Sequence, residues 1–480
     1  FGAKPSKGQE LEDHYFGVLK PRVSDYMKEL DEELWKLGIY AKTKHNEVAP
    51  AQHELAPIFS TTNIATDHNQ LTMEIMKKVA EKHGLYCLLH EKPFAGVNGS
   101  GKHNNWSMGT DDGMNLLEPG NSPHENKQFL LFLCAVIKAV DEYPDLLRVS
   151  AANAGNDHRL GANEAPPAII SIFLGDQLED VLEQIEKGPA TSSKSSSKLT
   201  IGVHTLPALP KDATDRNRTS PFAFTGNKFE FRMVPSSASI GCCNHTLNTI
   251  VAESLCEIAD RLEKATDLDA EIQAILTDIV KNHKKIIFNG NGYSDEWVEE
   301  AERRGLPNIK STVESAKALV SEKNQAVFEK HGVLTKIEVE ARYEITIENY
   351  NKTINIEALT TLEMAKRQIL PAVIKFSTSL AESINTIKAT GLDADVSVQA
   401  GLLKEVSTLT ASLQKNIVAL EKAVEKADSF DGDIYDLGMM YRYEVFEQMN
   451  SLRADADKLE TLVDKEFWPM PTYEDMLFNV

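Results

Sequence analysis

Apolar residues recur at every third or fourth position over much of the chain, which indicates a protein built mainly of helices. Amphipathic helices are predicted over residues 24–37, 64–83, 124–141, 244–283 and 311–331. Ser24 is a candidate N-cap for the first of these helices, and Gly38 is a candidate stop at its C-terminus.

Other segments have no helical period and predict strands. Residues 44–59 are rich in His, Pro and Ala, which favours strands joined by a tight connection. Residues 84–90 form an apolar run that predicts a buried strand. Residues 227–234 alternate, so Phe229 and Phe231 are expected on one face of a strand, with charged neighbours on the other.

The composition of the chain changes at about residue 351. Beyond this point glycine is sparse, and Ala, Leu, Lys and Glu dominate. Two apolar stripes, Leu402 to Val424 and Tyr441 to Val463, step by three or four residues and predict an antiparallel helical bundle or hairpin. We therefore expect an α+β body over residues 1–350 and a C-terminal helical extension over residues 351–480.

Charge and cysteine content narrow the possible partners and compartment. A formal net charge of -21 disfavours nucleic acid and anionic membranes as partners. The five cysteines are irregularly spaced and form no CxxC motif, so we expect neither a disulfide framework nor a zinc site. The sequence shows no signal peptide and no apolar run long enough to span a bilayer, and a cytoplasmic location is expected.

Two carboxylates, Glu47 and Glu54, flank Pro50 in the first of the strand-like segments. Hard divalent cations such as Mg²⁺ prefer oxygen ligands, commonly one or two carboxylates together with phosphate and water. The spacing permits both carboxylates to reach one ion. It is also compatible with two surface glutamates on a solvated edge strand.

A glycine-rich segment, Asn98 to Ser107, contains His103 directly after two glycines and a lysine. Glycines let the backbone approach a ligand, and successive N–H groups can bind an anion. A neutral imidazole can bind a metal ion. The spacing fits neither a Walker A loop nor GxGxxG, and a simple turn with a hydrogen-bonded histidine also fits.

Two further segments carry charged residues in polar settings. Lys228, Glu230 and Arg232 share one face of the predicted strand, which suits either a polar cavity or a solvent-facing row of ion pairs. Arg159 and Glu164 lie in a loop rich in Gly, Asn and Pro. The guanidinium fork matches carboxylate and phosphate, although a salt bridge within the loop would also explain the pair.

In this order the four segments resemble the motifs of glutamine synthetases, most closely those of the type III branch. His45 to Glu54 resembles the metal-binding strand motif of the family, and Asn98 to Ser107 resembles its NGxGxHxNxS motif. Asn217-Arg218-Thr219 and Phe229-Glu230-Phe231-Arg232 resemble its NRS and ExR motifs. The resemblance continues through the C-terminal helices and spans essentially the whole chain.

The resemblance implies an antiparallel sheet or half-barrel flanked by helices. It implies that ATP drives ligation of ammonia to the γ-carboxylate of L-glutamate through γ-glutamyl phosphate, which yields glutamine, ADP and phosphate for nitrogen assimilation. It also implies Mg²⁺ or Mn²⁺ as cofactor and a homo-oligomer, namely a dodecamer of two hexameric rings. Glutamate, ATP and ammonia would be the small-molecule partners.

The resemblance assigns roles by motif position. Glu47 and Glu54 would hold one divalent ion, and His103 and Glu230 would hold the other. The glutamate site would comprise Asn98, Gly99, Arg159 and Arg232, and the ATP site Asn105, Ser107, Arg218 and Lys228. The catalytic group would comprise Arg159, Arg218 and Glu164, of which Glu164 would close over the acyl phosphate and take a proton from ammonium.

The chain departs from the family pattern at several points. An arginine usual after the NRS motif is replaced by Pro221-Phe222-Ala223, and Lys228 is expected to take over its phosphate contact. Asn105 stands where type I enzymes carry a histidine, and the interval from Arg159 to Glu164 is one residue shorter than usual. The N-terminal β-grasp domain and the first metal-binding strand of the family are missing. We therefore expect a C-terminal fragment that is inactive by itself.

Two alternatives to glutamine synthesis stay open. One is a related carboxylate–amine ligase that accepts larger amines, such as a γ-glutamyl-polyamine synthetase. The other is a non-catalytic homologue with an assembly or regulatory role. The intact set of four candidate metal ligands argues against the second, and Arg159 and Arg232 argue against the first.

Overall fold

The computed structural model describes residues 8–161, 165–193, 198–199, 209–210, 219–471 and 475. Its strands are β1 Ala41–Asn46, β2 His53–Pro57, β3 Gly101–Trp106, β4 Ile172–Phe173, β5 Lys198–Leu199, β6 Leu209–Pro210, β7 Phe222–Phe224 and β8 Phe229–Pro235. Its helices are α1 Pro21–Lys36, α2 Thr62–Lys82, α3 Lys127–Glu142, α4 Pro144–Val149, α5 Ala154–Arg159, α6 Asp176–Lys187, α7 Gly241–Glu263, α8 Leu268–His283, α9 Asp295–Arg303, α10 Thr312–Ala316, α11 Glu322–Lys330, α12 Lys336–Met364, α13 Leu370–Ala389, α14 Ser397–Asp428, α15 Ile434–Met440 and α16 Phe446–Leu462.

The central sheet has the strand order β3-β8-β7-β4, in which only the β7/β4 pair is parallel. Phe229 and Phe231 are fully buried on its core face, as the alternating pattern predicted. Phe222 stacks on Phe229 with ring centroids 4.7 Å apart. Helices α3, α7 and α8 supply a large part of the remaining apolar core behind this sheet. The predicted α+β class is confirmed.

Several predicted helices differ from the observed ones at their ends. Helix α1 begins at Pro21 rather than at Ser24, because proline suits the first helical position, where no N–H is needed. Its predicted stop is confirmed, since Gly38 adopts a positive φ of 75° directly after the cap residue. The predicted helix 244–283 is divided into α7 and α8, and the side chain of Asp267 caps the second of these.

The predicted buried strand at residues 84–90 is wrong. This segment belongs to no helix or strand and pairs with no other strand among the described residues, and Tyr86 is 89% exposed and Leu88 58% exposed. Leu85 and Cys87 pack instead against the apolar contact between α1 and α2. The apolar run is therefore buried only in part, and it forms no ladder with another described strand.

The C-terminal helices form the predicted antiparallel packing. Helix α14 lies against α16, with Asn416 donating to Asp455 over 2.8 Å and Lys426 pairing with Glu444 over 2.6 Å. From the first pair to the second, the residue number increases on one side, from 416 to 426, and decreases on the other, from 455 to 444. The two helices therefore run in opposite directions. Most residues of both predicted stripes are buried in one cluster. Among the described residues, no helix is long and apolar enough to cross a bilayer.

The predicted boundary at residue 350 lies inside α12, and it stays a prediction. Val339 of this helix belongs to the apolar core behind the sheet, whereas Tyr350 and Ile354 belong to the core of the C-terminal helices. The second core also contains Ala154 of α5 and Val313 of α10. All five cysteines are free thiols.

Two glycines in C-terminal helices are expected to respond oppositely to alanine. A Cβ at Gly401 in α14 would meet no atom within 4 Å, so Gly401→Ala should stabilise the fold by about 0.5–1 kcal/mol through lower backbone entropy in the unfolded chain. A Cβ at Gly438 would lie 2.9 Å from Val313, and Gly438→Ala should destabilise the fold by about 1–3 kcal/mol. Urea unfolding of both variants measures the difference, and equal midpoints would contradict it.

Helix α5 is held between the sheet and the C-terminal helices. Asp157 accepts hydrogen bonds from the backbone N–H and the hydroxyl of Thr312, and the ring of His158 lies 4.8 Å from that of Phe446. On the sheet side, Asn156 donates to the carbonyl of Met233 over 2.8 Å. The position of α5, and of the arginine at its end, therefore depends on both layers.

His158 is expected to make the fold sensitive to mild acid. Burial, together with the positive charge of nearby His90, Arg442 and Arg453, lowers its pKa from 6.5 to about 4. The unfolded chain thus takes up a proton first, and stability falls as the pH drops from 6.5 towards 4, by roughly 2–3 kcal/mol at most. In His158→Gln the melting temperature should fall less steeply between pH 7 and pH 5. A slope equal to that of the unsubstituted protein would contradict this account.

Candidate active site

A tight hairpin between β1 and β2 brings Glu47 and Glu54 together. In the ladder, His45 pairs with Glu54, and the N–H of Glu47 donates to the carbonyl of Gln52 over 2.8 Å. Ala51 takes the left-handed conformation with φ 55° to close the turn. The predicted pair of strands with a tight connection is confirmed, and with it the convergence of the two carboxylates.

His45 completes this acidic cluster, and the motif-based assignment had left it out. Its Nε2 lies 3.3 Å from Glu47 Oε1 and 3.2 Å from Glu54 Oε2. The three ligand atoms lie within 4.8 Å of one another, which is close enough for one metal ion. Two carboxylates and an imidazole suit a divalent ion such as Mn²⁺ as well as Mg²⁺. In the sequence, His45 and Glu47 are two positions apart, and this spacing is the feature that could have identified His45 as a third candidate ligand.

A second pair of candidate ligands forms across β3 and β8. The register of these strands shifts between Lys102 and Asn104, so His103 lies at a bulge. His103 Nδ1 lies 2.9 Å from Glu230 Oε1, and Arg232 donates to Glu230 Oε2 over 2.9 Å. The structure thus places His103 next to Glu230 and Glu47 next to Glu54, and their roles as metal ligands stay predictions.

The electrostatic setting keeps Glu230 ionised. Burial by itself raises the pKa of this carboxyl, but the hydrogen bond from His103 and the charges of His103 and Arg232 outweigh burial and lower the pKa to about 2. A carboxylate must be deprotonated to bind a metal ion. Glu230 therefore meets this requirement at neutral pH.

The loop before β3 connects the two pairs of ligands. Gln52, in the hairpin, donates to the carbonyl of Gly99 over 2.8 Å. Gln9 forms two hydrogen bonds with Asn98, one from its own amide to Asn98 Oδ1 over 2.8 Å and one from the Asn98 backbone N–H over 2.9 Å. Asn98 Nδ2 is buried without a partner among the described residues, which leaves a donor suited to a carboxylate. Neither glutamine was singled out from the sequence.

Arg159 lies directly beneath this loop. Its guanidinium donates to Asn156 Oδ1 over 3.2 Å and to the carbonyl of Arg232 over 3.0 Å. A Cβ on Gly101 would lie closer than 3.0 Å to Arg159 Cζ, so the glycine is what lets the loop and the guanidinium pack together. Burial lowers the pKa of Arg159 to about 10, and it stays charged at neutral pH. The four residues predicted for glutamate binding are thus brought together.

The predicted nucleotide side is only partly described. His103, Asn105 and Ser107 are the exposed alternate positions of β3 and its continuation. The Ser107 hydroxyl donates to the carbonyl of Asn227, the residue before Lys228, over 3.1 Å. Arg218 and Glu164 lie outside the described residues, and their assigned roles stay predictions.

Glu91 is a buried acidic residue that the sequence analysis did not recognise. It is only 1% exposed, and its Oε1 accepts hydrogen bonds from Ser237 N over 3.0 Å and from Ser237 Oγ over 2.6 Å. The feature that could have identified Glu91 in the sequence is its position directly after an apolar run. A charged residue in such a setting needs a buried partner.

Two family models match this chain. The model described as "Glutamine synthetase, catalytic domain" matches residues 3–171, and the one described as "Glutamine synthetase C-terminal domain" matches residues 271–388. These matches lie on both sides of the central strands β7 and β8.

Three relatives match along the whole chain. A protein named glutamine synthetase from Butyrivibrio fibrisolvens is 50% identical, with 100% of this chain and 68% of the relative covered. A type-3 glutamine synthetase from Dictyostelium discoideum is 46% identical, with 99% and 66% covered. A glutamine synthetase from Bacteroides fragilis is 42% identical, with 100% and 67% covered. The chain thus spans about two thirds of the length of these relatives.

Proposed function

The chain belongs to the glutamine synthetase family, and on this premise we propose that it ligates ammonia to the γ-carboxylate of L-glutamate with conversion of ATP to ADP and phosphate. The observation that carries the proposal is the pairing of Glu47 with Glu54 and of His103 with Glu230 beside two buried arginines. Acidic and imidazole ligands next to guanidinium groups suit a site that handles phosphate and carboxylate together.

The proposed reaction has two steps. The γ-phosphoryl group of ATP passes to the γ-carboxylate of glutamate, which forms an acyl phosphate and releases ADP. Ammonia then attacks the acyl carbon, and phosphate leaves. Divalent ions held by Glu47 and Glu54 with His45, and by His103 and Glu230, would neutralise phosphate charge when bound.

The residues of this chain would orient glutamate for both steps. Arg159 is fixed by hydrogen bonds to Asn156 in its own helix and to the carbonyl of Arg232. The Arg232 guanidinium is fixed by hydrogen bonds to Glu230 and to the carbonyl of Ser220, so both charges stay in place before substrate arrives. Asn98 offers its buried amide N–H to a carboxylate oxygen. Such preorganisation limits the entropy lost on binding and favours one reacting geometry.

Ligation of a larger amine on the same scaffold is the second candidate. We favour ammonia, because Arg159 and Arg232 frame a site for an amino-acid carboxylate and the three relatives above are named glutamine synthetases. The test uses this chain within a protein of the full length of these relatives, because the chain by itself is expected to be inactive. It measures phosphate release and amide product from glutamate and ATP with Mg²⁺ or Mn²⁺, with ammonia, methylamine or putrescine as the amine. Ammonia should give the highest kcat/KM. A preference for either larger amine would overturn the proposal.

We also propose that the enzyme works in the cytoplasm as a homo-oligomer, with a dodecamer of two hexameric rings as the expected form. Large apolar side chains, including Phe59 and Tyr86, are exposed on the described surface. Exposed apolar groups of this size favour burial against another protein surface. Analytical ultracentrifugation of the purified protein tests the assembly, and a monomer at micromolar concentration would contradict it.

A further inference from the structure

Glu91 links three segments that carry the proposed glutamate site. We propose that Glu91 is a positioning residue for glutamate binding, which acts through Arg159 and the loop of residues 98–101. The inference rests on the proposed function, because it concerns affinity for the substrate of that reaction. Glu91 itself touches none of the candidate metal ligands in the described hydrogen bonds.

The first contact of Glu91 is with the loop above Arg159. The Glu91 backbone carbonyl accepts a hydrogen bond from Ser100 N over 2.8 Å. A Cβ on Gly99 would lie 2.7 Å from that same carbonyl oxygen, so loop and carbonyl are in close contact. Asn98 and Gly99 occupy predicted glutamate-binding positions. The contacts of the Glu91 carbonyl therefore help to fix the position of this loop.

The second and third contacts are made by the carboxylate. Its Oε1 accepts both hydrogen bonds from Ser237, which follows the end of β8 and so ties Glu91 to the strand of Arg232. Its Oε2 lies against Gly155 at the start of α5, where an added Cβ would come closer than 3.0 Å. Helix α5 ends at Arg159. One buried carboxylate therefore fixes the loop, the strand and the helix relative to one another.

The charge of Glu91 matters as well as its contacts. The hydrogen-bond acceptors described for Arg159 are a side-chain amide and a backbone carbonyl, both neutral. The electrostatic effect of Glu91 favours the charged form of Arg159, and it acts in the same sense on Lys102. A buried guanidinium without an anion nearby carries a large desolvation cost. Glu91 thus provides the fixed negative charge behind an arginine whose predicted partner is the substrate carboxylate.

The test replaces Glu91 by glutamine, which has nearly the same shape but no charge. In steady-state kinetics of Glu91→Gln, KM for glutamate should rise about 10-fold, as is typical when a residue that supports a binding group is lost. KM for ATP should change less than about 2-fold, because the contacts of Glu91 lie on the glutamate side. Glu91→Asp keeps the charge and should recover part of the affinity.

Asp141→Asn is the matched control. Asp141 is another buried carboxylate. It lies on α3, outside the candidate site, and its Oδ2 is 2.8 Å from His283 Nδ1. Its replacement should lower the melting temperature and leave KM for glutamate unchanged. Ser237→Ala removes only the 2.6 Å hydroxyl hydrogen bond, and it tests the same idea with an expected rise of about 2-fold to 3-fold if Glu91→Gln fails to fold.

The outcomes separate this proposal from the proposed function. The kinetics are measured on a protein of the full length of the relatives, because this chain by itself is expected to be inactive. If that protein forms no amide from glutamate and ATP, the proposed function is wrong. If it does, unchanged KM for glutamate in both Glu91→Gln and Ser237→Ala would overturn the role of Glu91. Equal increases of KM for glutamate and for ATP would also overturn it, because they would show general loosening of the fold.

Discussion

Glu230→Gln is expected to lower the rate of glutamine formation by at least about 100-fold. The carboxylate joins His103 to Arg232 and stays ionised because both partners favour its charge. Glutamine has similar size but cannot supply an anionic oxygen to a divalent ion, and metal ions contribute several kcal/mol of charge stabilisation in such reactions. A loss of that size corresponds to about 2.7 kcal/mol in the activation free energy.

The control for this variant uses a glutamate with similar neighbours elsewhere. Glu253 pairs with His331 and Lys330, each over 2.7 Å, and its side chain is 12% exposed, close to the 10% of Glu230. Glu253→Gln should leave kcat within about 2-fold of the unsubstituted enzyme, because its partners Lys330 and His331 lie outside the candidate site. Isothermal titration with Mn²⁺ should show weaker binding for Glu230→Gln alone. Unchanged activity in Glu230→Gln would remove Glu230 from the metal site.

Gly101→Ala is expected to lower kcat/KM for glutamate by about 100-fold, the loss typical of a misplacement of about 1 Å in a substrate-positioning group. The added Cβ would lie closer than 3.0 Å to three atoms of the Arg159 guanidinium. Either the arginine or the start of β3 must move, and both lie in the candidate glutamate site. The arginine has little freedom, because Asn156 and the Arg232 carbonyl hold it from the other side.

Gly109→Ala is the matched variant for this experiment. Gly109 follows the same strand by a few residues, and a Cβ there would meet only the carbonyl of Met114, at 3.3 Å. Its kinetics should stay close to those of the unsubstituted enzyme. If Gly101→Ala binds glutamate normally while its melting temperature is unchanged, Arg159 is not held by this glycine in the active protein.

Short-range geometry explains which parts of the site could be predicted. Glu47 and Glu54 stand on the two arms of one hairpin, so sequence spacing alone permitted their convergence. His103 and Glu230 meet only because β3 pairs with β8, and no local pattern records that pairing. The order of motifs supplied it instead. The side-chain alternation in β8 correctly separated the charged face from the buried phenylalanines.

Long-range support of the site was not predictable from a single sequence. Glu91 and Gln9 have no motif around them, and each acts through contacts with residues far along the chain. The break between α7 and α8 was missed because the apolar period continues across it, although Asp267 was available as a capping residue. The false strand at 84–90 shows the converse, since an apolar run does not by itself indicate the presence of a neighbouring strand.

Helix α12 has a consequence for how this protein can melt. Because it contributes Val339 to one apolar core and Tyr350 to the other, the loss of either core would expose apolar residues of the same helix. The two parts of the chain are thermodynamically coupled, and calorimetry should record a single cooperative heat-absorption peak. The C-terminal helices are therefore expected to be necessary for the stability of the rest of the fold. Their removal would expose Ala154 to solvent, and Ala154 lies in the short helix that ends at Arg159.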